Sequence, residues 1–393
     1  MDPIPVFDPA LTPPLIRGPA ALAQRAFAGM AAAELAACIA RRTATLEDTA
    51  AFALDAATLW QLRFAADAAA ALRAQALGAA PLYRVAGGAG LRLLAVMAPG
   101  DLMANTPLDF ITAHLPVRLD LLFVRPGDAL PARLPEHDVA FFAAADADAA
   151  LLHRLAPLHA RWPRPALNDP LRVLRLRREM LALALRRVPG LLCPPIRRMA
   201  RQAALPAEIA PPLLLRPAGS HAGEGLVFAG DAGEAASLLA AMTADEVYVS
   251  AFIDYRGSDG LYRKYRIAVI DGAPFLVHMA VSEHWMVHYL NAGMAGSAAK
   301  RDEEAAAMAG FDTGFARRHA DALATITEWA GLDYFQIDCA ELADGRLLLF
   351  EADVAGIVHM MDPADLYPYK PPQMRRIIAA FGAMLERAAA RRD

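Results

Sequence analysis

Apolar positions along the chain change their spacing twice, and each change marks a different kind of structure. From Ala20 to Arg42, Leu22, Phe27, Met30, Leu35 and Ile39 recur at roughly helical intervals, as one buried helix face requires. Thr45-Leu46-Glu47-Asp48 reads as a second helix start, with acids in the first turn. Leu59, Trp60, Leu62 and Phe64 then lead into an alanine-rich helix ending near Gly78. From Gly90 the runs shorten. Leu91–Met97, Leu119–Val124 and Asp138–Ala143 are short apolar strands, with helical stretches from Asp109 and over Ala149–Leu158 between them. This alternation predicts a small α/β domain with a parallel sheet over 90–165, punctuated by Trp162-Pro163-Arg164-Pro165.

Beyond it the pattern is one of hairpins. A charged amphipathic helix is expected over Asp169–Arg187, then strands at Leu213–Leu215 and Val247–Ile253. Tyr265–Ile270 and Pro274–Val281 should pair across Asp271-Gly272, and Phe335–Leu342 and Arg346–Glu351 across Asp344-Gly345. Asp-Gly pairs tolerate the positive φ of tight hairpin turns. Helices at Phe315–Ala330 and Pro372–Arg391 complete the reading. Three regions are expected: helical over 1–89, α/β over 90–165, and mixed α+β over 166–393.

Composition narrows the function classes. The 393 residues are 56% hydrophobic and 21% charged, which is globular rather than disordered. A net charge of −4 lacks the basic footprint of a nucleic-acid binder. No long uncharged apolar stretch suggests a membrane partner, and Met1-Asp2-Pro3-Ile4-Pro5 has no leader pattern, so a cytoplasmic location is expected. The basic residues are nearly all arginine, Lys264, Lys300 and Lys370 being the only lysines. Cys38, Cys193 and Cys339 are too scattered for a zinc ribbon or disulfide framework and read as small buried side chains.

Four segments carry chemistry. Leu214-Leu215-Arg216-Pro217 ends a strand on a cation and enters a loop with Ser220, His221, Gly223 and Gly225, where backbone N–H groups can approach phosphate. Asp338 lies on one strand, with Glu351 and Asp353 on its hairpin partner; i and i+2 share a face, so three acids converge. Converging carboxylates repel unless protonated or metal-bound, and an oxygen-only set suits magnesium. Tyr248–Asp254 is an apolar strand running into a polar segment, which can offer backbone N–H and C=O to an adenine edge between apolar walls. Lys264 and Arg266 place two cations on one strand face, where they can hold phosphate or carboxylate.

In this order the segments resemble the ATP-grasp superfamily, in particular its ribosomal-protein glutamate ligase and glutathione synthetase branch, over about 165–385. LLLRPAGSHAGEGL is similar to the family's phosphate loop, VYVSAFI to its adenine hinge, KYRIAVIDG to its arginine strand, and GLDYFQIDCAEL with LLLFEADV to its metal hairpin. The resemblance implies an ATP-grasp fold, two α+β subdomains gripping ATP, preceded by a pre-grasp domain at 90–165. It also implies an ATP- and Mg²⁺-dependent carboxylate–amine (or thiol) ligase working through an acyl phosphate. Asp338, Glu351 and Asp353 would hold Mg²⁺. Arg216, with Arg177 or Arg178, would stand where the family has phosphate-side lysines. Ser220, His221, Gly223 and Gly225 would form the lid, Phe252 and Ile253 would frame the adenine hinge, Lys264 would join the ATP site, and Arg266 would meet the transferred phosphoryl group.

Departures accompany the match: both lysines are arginine, Ala251 replaces the hinge glutamate, and Asp353 replaces an asparagine. Over 278–294 the family's phosphate and substrate arginines give way to His278, His284, Trp285, His288, Tyr289 and Asn291. His284 and His288 would share a helix face, but a third zinc ligand is missing, and together with Asn291 they read as substrate contacts. Asn105 is a further substrate candidate because it follows a strand of the α/β region. Small-molecule or peptide carboxylates and amines are the expected partners, and a homodimer is compatible with the N-terminal helices. A small-molecule phosphotransferase and a non-catalytic nucleotide-binding scaffold are the alternative readings.

Overall fold

The computed structural model describes residues 2–31, 34, 46–146, 148–220 and 223–391. The chain is a mixed α/β structure built on three main sheets. The first begins in the N-terminal region, where β1 (Val6–Asp8) pairs apart with β6 (Arg133–Pro135). Its six strands are β2 (Leu15–Ile16), β3 (Leu82–Val85), β4 (Leu91–Met97), β5 (Val117–Phe123), β7 (Val139–Phe142) and β8 (Ala166–Leu167), in the order β2-β3-β5-β4-β7-β8. All pairs are parallel except β3 with β5. Leu93, Leu94, Ala95 and Val96 are buried in succession, as a strand covered on both faces demands. Pairing therefore crosses both expected boundaries, because β2 and β3 come from before residue 90 and β8 from after 165. The helices Leu46–Leu62 and Ala66–Ala79 pack together beside it. Of the helix expected over 20–42, Pro19–Phe27 is seen; Leu35, Cys38 and Ile39 lie outside the described residues.

The second sheet is antiparallel, ordered β10 (Ile196–Ala200), β13 (Glu246–Ala251), β11 (Leu213–Pro217), β12 (Val227–Ala229). Leu213, Leu215, Val247 and Val249 face the helix Ala232–Ala241. Alternation turns Leu214, Arg216 and Tyr248 to the other side. The third sheet runs β15 (Ala273–Ser282), β14 (Tyr262–Ile270), β16 (Tyr334–Glu341), β17 (Leu347–Asp353), with β9 (Leu191–Leu192) parallel at its edge. Ile267, Val269, Phe335 and Ile337 pack on one core, while Ala268, Ile270 and Tyr334 meet the C-terminal helix Lys370–Ala390. Phe381 of that helix lies 6.0 Å from Phe141 and 5.4 Å from Tyr334, tying the first sheet to the third.

The expected helix at 169–187 is broken. Pro170–Val173, a 3-10 turn at Leu174–Leu176 and Arg178–Leu185 replace it, because Arg177 turns extended at ψ 135. No helix forms over 284–288, where the chain bends between β15 and a 3-10 turn at Tyr289–Asn291, so the His284–His288 helix face does not exist. Cys193 and Cys339 are buried free thiols; burial pushes Cys193 up to about 12. Among the described residues no helix is long and apolar enough to cross a membrane.

Candidate active site

Two β-bulges build the site. Counting outward from Asp271-Gly272, regular pairing would set Arg266 against Val277; a register shift between Arg266 and Ile267 sets it against His278 instead. Counting from Asp344-Gly345 would set Asp338 against Phe350; a shift between Asp338 and Cys339 sets it against Glu351. Arg266 itself pairs with Asp338. Residues directly opposite one another share a face. His278, Arg266, Asp338 and Glu351 therefore form a row across four strands on one face, with Gln336 and Asp353 two residues along. Bulges re-aim side chains in this way next to active sites.

The row is densely charged. Arg266 grips both oxygens of Asp338, Nε at 2.7 Å and a terminal nitrogen at 2.9 Å, and Lys264 Nζ stands 2.6 Å from Asp338. Asp338 is buried, and these two cations hold its carboxyl well below the ordinary range against the pull of burial. Arg178 donates to Glu351 Oε2, and Arg216 lies 3.8 Å from the same oxygen. Burial brings Arg216 down to about 10, with Arg178 nearby adding to the effect, so the guanidinium is still charged at neutral pH. Four cations thus face three acids. The break at residue 177 delivers Arg178, not Arg177, to the site; Arg177 donates to the Asp146 carbonyl. Tyr248 steadies Arg178, its ring 6.0 Å from the guanidinium and its hydroxyl bonded to Glu179.

Asp353 is held differently. Its Oδ1 accepts the Ala355 and Gly356 N–H groups, each at 2.9 Å, and burial pushes its carboxyl up to about 6 against the pull of Arg266, with Glu351 and Asp338 adding to the rise. Gly356 is required there, since a Cβ would lie 2.0 Å from Gln336 Oε1. Gly356→Ala is expected to cost about 1–3 kcal/mol through overpacking, read as a lower urea midpoint.

Glu351 and Asp353, two residues apart on one strand face, offer the oxygen donor set that suits Mg²⁺. Asp338 is less available than the sequence suggests, because both its oxygens are engaged by Arg266. Among the described residues no three His, Cys, Asp or Glu side chains come together to hold a metal ion unaided. The pair fits an ion that completes its shell with waters and substrate phosphate, the usual habit of Mg²⁺.

The glycine loop leads out of β11. Arg216 bonds the Ser220 hydroxyl at 3.0 Å and its carbonyl at 2.6 Å, folding the loop back over the cation. Gly223 and Gly225 adopt φ 80 and 66, and a Cβ on Gly225 would strike Pro217 at 2.8 Å. His221 lies outside the described residues. Phe252 packs edge-on to Phe228 at 5.0 Å and to Trp285 at 5.8 Å, linking this sheet to the segment after β15. Its N–H is taken by the Pro212 carbonyl, so Phe252 can offer an adenine its ring but not that donor. Ile253 is partly buried beside Tyr255 and Tyr262.

The substrate candidates divide. His288 is half-buried and feels the charges of Lys264 and Arg266, which with burial lower its pKa. It also forms a reciprocal cap with Asn291, which occupies the exposed Asn291 side chain structurally. His284 is exposed. Asn105 is a correction: it is buried, and both ends of its amide close on its own loop, on the Ala98 N–H at 2.7 Å and carbonyl at 3.0 Å, rather than opening to a substrate. Asn105→Ala should cost about 1–3 kcal/mol, the penalty of a buried unpaired group, and leave substrate KM unchanged in a steady-state assay.

No protein-family model matches the chain, and no curated protein matches it. Among solved structures it is similar to the ATP-complexed D-alanine–D-alanine ligase of Bacillus anthracis, with 13% identity, TM-score 0.44, and coverage of 77% of this chain and 98% of that one. It is also similar to a RimK-domain ATP-grasp protein of Sphaerobacter thermophilus, with 17% identity, TM-score 0.39, and coverage of 75% and 98%. For the D-alanine–D-alanine ligase of Coxiella burnetii the figures are 11%, 0.47, 77% and 96%.

Proposed function

We propose that the chain is an ATP-grasp enzyme that joins a carboxylate to an amine at the expense of ATP, through an acyl phosphate. The observation that carries this is the convergence of Arg178 and Arg216, from different elements, on the hairpin acid Glu351, beside the Arg266–Asp338–Lys264 cluster. Such a set neutralises a polyphosphate and holds it in line with an attacking oxygen, which is most of what phosphoryl transfer asks of a protein.

In this reading Arg216 and Arg178 hold the phosphate chain, and the glycine loop closes over it with backbone N–H groups. Phe252, Phe228 and Trp285 form the apolar wall for the base. Glu351 and Asp353 would hold Mg²⁺, which when bound offsets charge on the phosphates. Lys264 and Arg266, fixed by Asp338, steady the transferring phosphoryl group. A substrate carboxylate oxygen attacks the γ-phosphorus and ADP leaves. The amine then attacks the acyl carbon, the C–N bond forms and phosphate departs. None of these steps needs a protein nucleophile.

Calorimetric titration with ATP tests the site. Binding that strengthens with magnesium and falls at least tenfold in Arg216→Ala supports the reading. Absence of ATP binding by the folded wild-type protein overturns it.

A further inference from the structure

One member of the charged row has no role in the steps above. His278 sits directly opposite Arg266 and shares its face, brought there by the bulge that displaces Val277. It stands at the far end of the row from Glu351, with two strands between them. At about 4.8 Å per strand, it is roughly 5 Å along the row from Arg266 and about 14 Å from Glu351. Phosphate-holding groups cluster at one end; the other end is where an acyl group and its attacker would lie.

The surroundings of His278 are built rather than incidental. Its ring packs on Tyr289, centroids 4.7 Å apart, and Tyr289 is fixed by Glu304 at 2.8 Å and Lys370 at 2.5 Å. Glu304 and Lys370 are both buried, and Glu304 also accepts from Tyr369 and from the Met279 N–H. A network this complete orients the imidazole. Yet His278 Nδ1 is buried with no hydrogen-bond partner among the described residues. A buried ring nitrogen without a partner is costly unless a ligand supplies one.

We propose that His278 is the general base of the amide-forming step: it takes the proton that the incoming amine sheds as it attacks the acyl phosphate. This rests on the ligase reading. The amine nitrogen forms a bond to the acyl carbon, the carbon–oxygen bond to phosphate breaks, and phosphate leaves with the electron pair. The proton passes from the amine nitrogen to the imidazole, which becomes imidazolium. Burial, followed by the charge of Arg266 and then of Lys370 and Lys264, keeps His278 well below its ordinary value of 6.5, with Asp338 opposing. The ring is thus neutral at physiological pH, with its lone pair unprotonated. Tyr289 packs on it from the 3-10 turn, and Lys370 of the last helix sits over the Tyr289 ring, 4.0 Å from its centroid, so its charge reaches His278 from behind that ring.

Hydroxylamine separates base catalysis from packing, because it is a strong nucleophile that is largely unprotonated at neutral pH. The experiment compares wild type, His278→Gln and His278→Asn with Mg-ATP and pooled amino acids and dicarboxylates, first with hydroxylamine and then with amino acids as amines. Hydroxamate formation within a few-fold of wild type, with amide formation down about 10²-fold or more, is the general-base signature. Equal loss of both products in folded variants would make His278 a packing residue and overturn the assignment. In wild type, kcat at saturating amine should fall only below the ordinary histidine range, and this limb should be absent from kcat of the hydroxamate reaction at saturating hydroxylamine; a limb common to both kcat profiles also overturns it. If wild type forms no hydroxamate with any carboxylate, it is the ligase reading that fails, and the base assignment falls with it.

Discussion

Asp338→Asn should lower folding stability by about 3 kcal/mol and abolish turnover. The asparagine would leave Lys264 and Arg266, whose side chains are only 19% and 21% exposed, without the carboxylate that pairs both. Removing one partner of a buried ion pair costs about 3–5 kcal/mol, because the remaining charge stays desolvated; the residual exposure of the cations argues for the lower end. The pH dependence has a definite sign. Asp338 is held well below its ordinary 3.8 in the folded state, so its stabilisation is fully present above that value. It is lost only as pH falls through the depressed value. Wild type and variant should differ by the full amount at neutral pH and converge in strong acid, as urea unfolding at a series of pH values will read. A variant as stable as wild type at neutral pH would mean that the Lys264–Asp338–Arg266 contacts contribute little.

Glu351→Gln should separate binding from chemistry. Glu351 is the acid that Arg178 and Arg216 both approach. Its neutral replacement leaves both guanidiniums for the nucleotide, so metal-free ATP should bind at least as tightly as in wild type. Turnover should nevertheless fall about 10²–10³-fold, the usual cost of removing one preorganised electrostatic element. ATP titration without magnesium and a steady-state assay with it supply the two numbers. Loss of ATP binding together with turnover would show Glu351 to be a scaffold for the arginines rather than a metal-side acid.

Much of this architecture was legible in the sequence, and the limits have physical causes. Asp271-Gly272 and Asp344-Gly345 announced both hairpins; Asp271 and Gly272 adopt φ 48 and 84, as the turn requires. Glu351 and Asp353 sharing a face followed from a period of two. The bulges did not show, because each is one unpaired residue that periodicity cannot reveal; His278 was in view as one of the unusual residues of 278–294, but its place opposite Arg266 came only with one of them. Arg177 and Arg178 were indistinguishable until the helix was seen to break between the 3-10 turn and Arg178. Asn105 misled because a short polar side chain after a strand reads the same whether it meets a substrate or closes its own loop. The helix expected at 284–288 was an inference from spacing alone, and local bends outweighed it.

In the proposed reaction ATP is consumed to activate a carboxylate for an amine. ADP release from Mg-ATP tests it most directly, with pooled carboxylates, pooled amines, both or neither, in wild type and Glu351→Gln. Release should require both substrate classes, be matched by an amide product, and fall at least a hundredfold in the variant, the low end of that electrostatic loss. Release with one substrate alone, accompanied by a stable phosphorylated product, or release that Glu351→Gln leaves untouched, would contradict it.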